Sequence, residues 1–509
     1  MAYNVSIATR PLVYSTFRYI NNKVWNALAE YIDNSIQSFE NHIDVLKAIN
    51  KDGKLHVSVS IDFDKDVITI VDDAYGIEEE NYQRAFELAN LPLDNQGLNE
   101  FGMGMKVSSI WLSNTWTVET SAYGEPVQKT MTFDLKEVVD NEEMELPVSE
   151  KACSSSTHYT KITLRNLSMN KPTSRQISYI KKHLESIYTK HLREKSVEIL
   201  LNGLPLEYVE LKVLNAPYYS TPNGPAKEWR KEISFGPVPL DGKMYSVKGF
   251  IGVLETMSTS ENNGFLLFRR GRVIGSSYDD RYRPKILCGQ EGSPQYKRIF
   301  GELHLEGFDV SFTKNSFQED DDFTTFIELL KDDLTHDKSL DLFGQAQNYT
   351  KPKSQKEIKD LGATLVKQIA KGFSKPIIVK PTETIPIVES HPAIENPQQN
   401  DDLNIPPTET TITLSDGNKV PLQIRGEKWP VSQGLYSLTG NPAEKIKAII
   451  NLNNPVFKRF DKSLSTPEGI EQLAYVISVL VASEVSLQQD GTLHGKFFRD
   501  KFNTLFGTI

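Results

Sequence analysis

Cysteine is nearly absent from this 509-residue chain: Cys153 and Cys288 are the only two, and they lie far apart in sequence. That excludes a disulfide framework and a cysteine-based metal cluster, and it fits a reducing, intracellular setting. Long apolar runs are also lacking. The opening Met1-Ala2-Tyr3-Asn4-Val5-Ser6 has no basic start followed by an apolar stretch, so no signal peptide is expected. The most apolar late stretch, Leu473 to Val485, reads as too short for a bilayer and carries Ser478, Ser483 and Glu484. No membrane segment is expected, and a cytoplasmic location is. No repeat of solenoid period occurs. An excess of positive charge is lacking too: 57 Lys and Arg against 67 Asp and Glu leave a net charge of -10. This excludes a protein whose whole surface clings to nucleic acid, though not a local basic groove.

What is present suits ordinary globular domains, with 39% hydrophobic and 24% charged residues. Residues 1 to about 20, with Tyr3, Pro11, Tyr14, Phe17 and Tyr19, read as an arm rather than a core element. From Asn22 to Phe39 the apolar or small residues Val24, Ala27, Leu28, Tyr31, Ile32, Ser35 and Ile36 recur at helical spacing, which puts Glu30 and Asn34 on one face beside the buried stripe. His56 to Ile61 and Val67 to Val71 read as a hairpin, Glu78 to Ala89 as a helix, and Pro92 to Glu100 as a loop long enough for a lid. A helix from Gly102 through Ile110 and strands at Thr115–Ala122, Val127–Asp134 and Lys161–Arg165 complete a two-layer α/β sandwich. A basic helical pattern spans Thr173 to Lys195. Beyond it, strands are expected at Val197–Leu201, Val247–Val253, Gly264–Arg269 and His304–Val310, with a helix at Phe323–Leu334. Lys353 to Phe373 reads as a helix leading out. Lys375 to Thr408 is proline-rich enough to be a linker, and the last block mixes short strands with helices near Pro467–Gln488 and Leu493–Phe506.

Three motifs stand in fixed order near the start: Ala29-Glu30-Tyr31-Ile32-Asp33-Asn34-Ser35, Ile70-Val71-Asp72-Asp73-Ala74-Tyr75-Gly76-Ile77 and Phe101-Gly102-Met103-Gly104-Met105-Lys106. Glu30 can act as a general base, and Asn34 one turn later offers a neutral oxygen to Mg2+. Asp72, ending a strand, can accept a hydrogen bond from the amino group of adenine. Gly102 and Gly104 let backbone N–H groups approach phosphate at a helix N-terminus, with Lys106 adding charge. Taken singly each motif is common; a solvated helix face, a turn acid and a loop glycine pair explain them equally well. Together and in this order they read as an ATP site, although no Walker loop is present.

The three motifs resemble those of the GHKL ATPases, the superfamily of DNA gyrase B, the ninety-kilodalton heat-shock chaperones, histidine kinases and MutL, whose nucleotide site is the Bergerat fold. The first and third are most similar to the microrchidia (MORC) ATPases and their prokaryotic relatives. The resemblance implies Glu30 as base, Asn34 as Mg2+ ligand, Asp72 as adenine reader with the Gly76 turn, and Gly102, Met103, Gly104 and Lys106 as phosphate contacts. It also implies that Thr160, in Tyr159-Thr160-Lys161-Ile162-Thr163-Leu164, shares a water with Asp72. Lys314, in Asp309-Val310-Ser311-Phe312-Thr313-Lys314, would come from a transducer domain to the γ-phosphate. The chain departs from the pattern at Ala74 and Tyr159, where glycine is usual, and in a lid without lysine.

The expected architecture is α/β (α+β): a two-layer Bergerat-type ATPase sandwich with its arm (1–170), an α/β transducer-like domain (171–350), a helix and Pro-rich linker (351–409) and a small α+β domain (410–509). Two stretches could carry nucleic acid. One is the helix Arg175 to Lys195, which as readily forms a solvated face; the other is Arg269, Arg270, Arg272, Arg281, Arg283 and Lys285 with interleaved Tyr278 and Tyr282. No phosphoacceptor-histidine helix precedes the site, and nothing resembles a MutL-type metal motif or a topoisomerase cleavage domain. The resemblance implies a slow, Mg2+-dependent ATPase that dimerises on binding ATP and clamps DNA. The alternative is a chaperone-like or scaffold ATPase holding a protein partner through its C-terminal block.

Overall fold

The apolar spacing after Asn22 produces helix α1 (Val24–Asn41), which buries Ala27, Leu28, Tyr31, Ile32, Ile36 and Phe39 along one stripe. The fold is that of a computed structural model, which describes residues 5, 10–50, 52–88, 90, 102–240, 243–311, 313–336, 340–351, 355–373, 405–413, 419–429, 434–441, 444–460 and 463–489. The expected lid (Pro92 to Glu100), most of the Pro-rich linker and the expected terminal helix (Leu493 to Phe506) lie outside the described residues. Residues 1–350 and 351–509 form two compact units.

In the first unit, β1 (Leu55–Asp62) and β2 (Val67–Asp72) pair as an antiparallel hairpin that brings Val57 opposite Asp72. Helix α2 (Glu79–Phe86) follows, then α3 (Gly104–Leu112), which runs directly into β3 (Ser113–Ser121). Strands β4 (Val127–Asp134), β5 (Val148–Ala152) and β6 (Tyr159–Leu167) continue the sheet. Helices α4 (Ile177–Ile187) and α5 (Thr189–Glu194) lead to β7 (Val197–Leu201) and the short β8 (Leu204–Pro205). The eight-stranded sheet has the order β5-β4-β3-β6-β2-β1-β7-β8, antiparallel except where β7 runs parallel to β1. Its core draws on α1, α3 and α4 as well as the strands, giving a helical layer on a sheet.

Two sequence expectations change here. The boundary placed at residue 170 cuts through this core. Ile180, Leu184, Ile187, Tyr188 and Leu192 of the basic stretch are buried in it, and β7 takes the edge of β1 that would otherwise leave backbone groups unpaired. The described part of the arm is also docked: Val13–Thr16 and Phe17–Tyr19 are helical turns, and Tyr14 meets Phe133 edge-on at 5.3 Å. Its aromatic residues cover core that would otherwise face water.

A second sheet follows, built from β9 (Arg230–Leu240), β10 (Lys243–Val253), β11 (Gly264–Arg269), β12 (Arg272–Val273) and β13 (Ile299–Glu306) in the order β9-β10-β13-β11-β12. Helix α6 (Asp321–His336) closes one face with Phe323, Phe326, Ile327, Leu330 and Leu334. Strand β9 was not anticipated, because Gly236 and Pro237 interrupt its pattern, and the pairing with β10 shifts there. The strand expected at His304–Val310 lies earlier, at β13.

In the second unit, β14 (Thr408–Thr413), β15 (Lys419–Glu427), β16 (Tyr436–Asn441) and β17 (Lys445–Asn451) form a sheet in the order β14-β15-β17-β16. Two helices pack with it, α7 (Gln355–Gly372) and α8 (Pro467–Gln489). Helix α7, which the sequence suggested as a lead-out, buries Leu365, Val366 and Ile369 in this core. Helix α8 is long and apolar enough to cross a membrane by length and composition, so the stretch is longer than the sequence suggested. Its Ala474, Ile477, Val481 and Val485 are buried in the same core.

Candidate functional site

A cavity of ≈ 210 Å³ opens between α1, the end of β2, α2, the start of α3 and β6. All ten candidate residues lie on its wall: Glu30, Asn34, Asp72, Gly76, Gly102, Met103, Gly104, Lys106, Thr160 and Lys314.

At one end, Asp72 closes β2 and is almost wholly buried. Ser35 Oγ donates to it at 2.7 Å and the Ala74 N–H at 3.0 Å. Burial pushes its pKa up to about 6, with those two hydrogen bonds pulling the other way. Thr160 stands directly opposite Asp72 in the β2–β6 register, its hydroxyl 3.1 Å from that of Thr120. Thr120 Oγ1 also accepts from the Ile77 N–H at 3.0 Å and so ties the Gly76 turn to β3. Only Gly76 in this turn needs its freedom. Its φ is +87°, and a methyl group there would stand 2.0 Å from the Ser121 carbonyl oxygen. Ala74 has no positive φ and is accommodated, and Tyr159 fits an ordinary strand position with its hydroxyl on Glu119 at 2.7 Å.

The other end is charged. Gly104 opens α3 so close to Glu30 that a methyl group would lie 1.9 Å from Oε2. Lys106, in the first turn of the same helix, is buried and donates to the Glu87 carbonyl at 2.5 Å. Burial first, and the nearby Arg84 second, pull its pKa down to about 8. Arg84 also lines the cavity; among the described residues its side chain bonds only the neutral Asn81, at 2.9 and 3.3 Å. Among the described residues neither cation has a carboxylate within ion-pair distance, although Glu87 lies near enough to Lys106 to favour its charge, and two cations on one wall favour an anionic ligand.

Lys314 reaches the cavity from the second sheet's side. It has φ +52° at the tip of a loop closed by the Lys314 N–H to Ser311 carbonyl bond at 2.8 Å, a conformation that non-glycine residues rarely adopt. The loop is pinned to α1: Asn26 donates to Asn315 Oδ1, and Asn315 Nδ2 donates to the Asn21 carbonyl at 3.2 Å. Lys314 Nζ lies 3.1 Å from Glu30 Oε1 and 3.1 Å from Asp33 Oδ2.

Sequence reasoning missed three members of this end. Asp33, fully buried on α1, accepts from Tyr188 Oη at 2.8 Å and pairs with Arg272 Nη1 at 2.6 Å. Arg272 also reaches Glu30 Oε1 at 3.3 Å. Burial opposes its charge, yet the carboxylates of Asp33 and Glu30 hold its pKa above the ordinary value. Tyr188 is raised well above the usual phenol value by burial, then by Asp33. A signal existed for Asp33, since a charge inside an apolar helical stripe has to be paired. For Arg272 the sequence offered only a basic cluster.

Asn34 is half-buried on the wall beside Glu30, and its side chain has no protein hydrogen-bond partner among the described residues. No group of three or more His, Cys, Asp or Glu among them could hold a metal unaided. One free amide oxygen suits Mg2+ carried in with phosphate oxygens and water, so the donors present fit that ion.

The two basic stretches are largely occupied within the chain. Lys181 pairs with Glu185, Lys182 donates to the Tyr278 hydroxyl at 2.7 Å, and Arg193 clasps Glu302 at 2.9 Å. His183 and His191 are buried, and Arg283 is bonded to the backbone carbonyls of Asn263, Asp279 and Arg281.

Residues 22–165 match the family model described as histidine kinase-, DNA gyrase B-, and HSP90-like ATPase. No curated protein matches the chain by sequence. Among solved structures, the chain is similar to the ATPase region of Saccharomyces cerevisiae topoisomerase II bound to ICRF-187 (dexrazoxane). The TM-score is 0.36 and the identity 13%, over 58% of this chain and 77% of that one.

Proposed function

We propose that this chain, whose residues 22–165 belong to the GHKL ATPases, binds ATP in the ≈ 210 Å³ cavity and hydrolyses it to ADP and phosphate to switch its own shape. The reading is carried by one observation: every residue assigned to base, metal, adenine and phosphate from the sequence lies on the wall of one cavity. Asp72 accepts from the adenine amino group and Thr160 completes that end. Backbone N–H groups from Gly102 to Gly104 and the Lys106 ammonium hold the phosphates. Glu30 takes the proton from the water that attacks the γ-phosphorus, the bond to the ADP oxygen breaks, and phosphate leaves. Mg2+, when bound with the nucleotide, supplies charge neutralisation between the phosphates, and Asn34 is the residue that would hold it. Lys314 moves to the γ-phosphate and carries the nucleotide state to the second sheet.

The test is a pair of substitutions. Glu30→Ala should keep ATP binding and lose about 10² to 10⁴ in hydrolysis rate, while Asp72→Asn should lose binding. Hydrolysis at the parent rate by both would sink the assignment.

The finer form of the proposal is a clamp: two copies close on ATP, as the motif resemblance to MORC and MutL ATPases implies, and reopen after hydrolysis. A doubling of mass in solution with a non-hydrolysable ATP analogue is the expected result, and an unchanged monomer counts against it. DNA as the clamped partner would find Lys181, Arg193 and Arg272 of the two basic stretches already paired inside the chain. ATP-dependent, salt-sensitive retention on closed circular DNA is its measure.

A further inference from the structure

Behind the charged end of the cavity Glu30 and Asp33 meet Arg272 and Lys314, and the four groups are not equivalent. We propose that Asp33 and Arg272 form a fixed ion pair that positions Glu30 and gives Lys314 a resting place, so that the γ-phosphate is sensed by the departure of one lysine. This rests on the ATPase reading above and goes beyond it by assigning two positioning residues, one on helix α1 and one on strand β12 of the second sheet.

The geometry sets the hierarchy. Asp33 to Arg272 is the shortest ion pair of the group, 2.6 Å, and both side chains are essentially inaccessible to water. Asp33 is held in place, because Tyr188 shares its one hydroxyl proton between the other Asp33 oxygen at 2.8 Å and the Ala29 carbonyl at 2.9 Å. Arg272 is equally constrained. It starts β12 after the two-residue turn Arg270-Gly271, whose φ values of +49° and +83° are those of a tight hairpin. Lys314 is held more loosely, sharing 3.1 Å contacts between Glu30 and Asp33 from the tip of a loop. Of the two cations, it is the one free to leave.

While Lys314 rests, both oxygens of Glu30 are engaged: Oε1 by Arg272 at 3.3 Å and Lys314 at 3.1 Å, and Oε2 by Lys314 at 3.2 Å. A phosphate group that draws Lys314 away leaves two carboxylates facing one guanidinium. Asp33 already claims that guanidinium, so Glu30 becomes available to a water. The two members of the pair therefore have different jobs. Arg272 offsets enough negative charge to let Lys314 go, and Asp33 keeps Arg272 from closing on Glu30.

Their removal should have opposite signatures. With Arg272→Gln, the two carboxylates hold Lys314 alone, so ATP affinity should fall about tenfold while ADP affinity, which needs no γ-phosphate contact, stays at the parent value. With Asp33→Asn, Arg272 turns to Glu30, so kcat should fall about tenfold or more with ATP affinity retained. The double variant leaves one carboxylate against one lysine and should hydrolyse faster than Asp33→Asn alone. Circular dichroism confirms folding first. If either single variant fails to fold, the double variant and Arg272→Lys are measured instead, and both should keep the parent affinity for ATP and the parent affinity for ADP. Equal loss of ATP and ADP affinity in any folded variant, or additive losses in the double, would mean a merely structural pair and overturn the proposal. A parent chain that binds neither nucleotide overturns the ATPase reading and this inference with it.

Discussion

The two ends of the cavity are built on different principles. The Asp72 end comes from one sheet: β2, β6 and β3 lie in register, and Asp72, Thr160 and Thr120 are fixed by backbone pairing before any ligand arrives. The Glu30 end is assembled from far apart, with Arg272 242 positions and Lys314 284 positions away from Glu30 along the chain. At one end a carboxylate is satisfied by neutral donors, and at the other a four-membered ion cluster stands beside the cations Lys106 and Arg84. A rigid end suits recognition of an unchanging base. A charge cluster gathered from a helix, a strand and a loop suits a group that comes and goes, because moving one member changes the balance for all the others.

Gly104 offers the hardest way to break that comparison. A methyl group at this position would collide with Glu30 Oε2 at 1.9 Å, and Glu30 cannot step aside freely because Arg272 and Lys314 hold it. Gly104→Ala should therefore displace the base and lower kcat by about 10²-fold, the scale of a displacement near 1 Å. Adenosine, which touches only the Asp72 end, should bind as before. Titrating adenosine and timing phosphate release on the same preparation checks both, and a variant that loses adenosine as well would show that the two ends are not independent.

The same contrast governs how much could be read from the residues. The Asp72 end was legible in part because two of its parts are local, a strand ending in an acid and a Gly turn, each visible in a short window, whereas Thr160 came only from the resemblance. Glu30 and Asn34 were legible as neighbours on one amphipathic helix. Asp33 was overlooked although it sat in the same motif, since its signal is a burial conflict rather than a pattern. Arg272 had no local signal; which arginine of Arg269, Arg270 and Arg272 turns inward is decided by a tight hairpin and by docking against α1. Lys314 was reachable only through the resemblance. The boundary near residue 170 failed for a related reason: β7 joins β1 in parallel, a long-range pairing that nothing in its own five residues announces. Strand β9 was hidden by Gly236 and Pro237, which read as a break although the strand continues past them.

A smaller effect sharpens the comparison by giving each end its own pH window. Asp72, raised to about 6 by burial, is ionised only above that value, so its capacity to accept from adenine declines as pH falls through about 6. Lys106, lowered to about 8 by burial, is charged only below that value, so its hold on phosphate declines as pH rises through about 8. ATP uses both groups and should bind best between these limits, losing at most about tenfold per pH unit outside them, the limit for a single proton. Adenosine lacks phosphate and should show the acid limb alone. It also isolates Asp72 from the phosphates' own titration. Calorimetry in buffers of different ionisation heat supplies an independent check: at pH 9, ATP binding should take up a proton as phosphate draws Lys106 back to its charged form, and adenosine binding should take up none. An alkaline limb for adenosine, or no proton uptake with ATP, would mean that Lys106 does not face the phosphates and that the cavity's charge is arranged for something else.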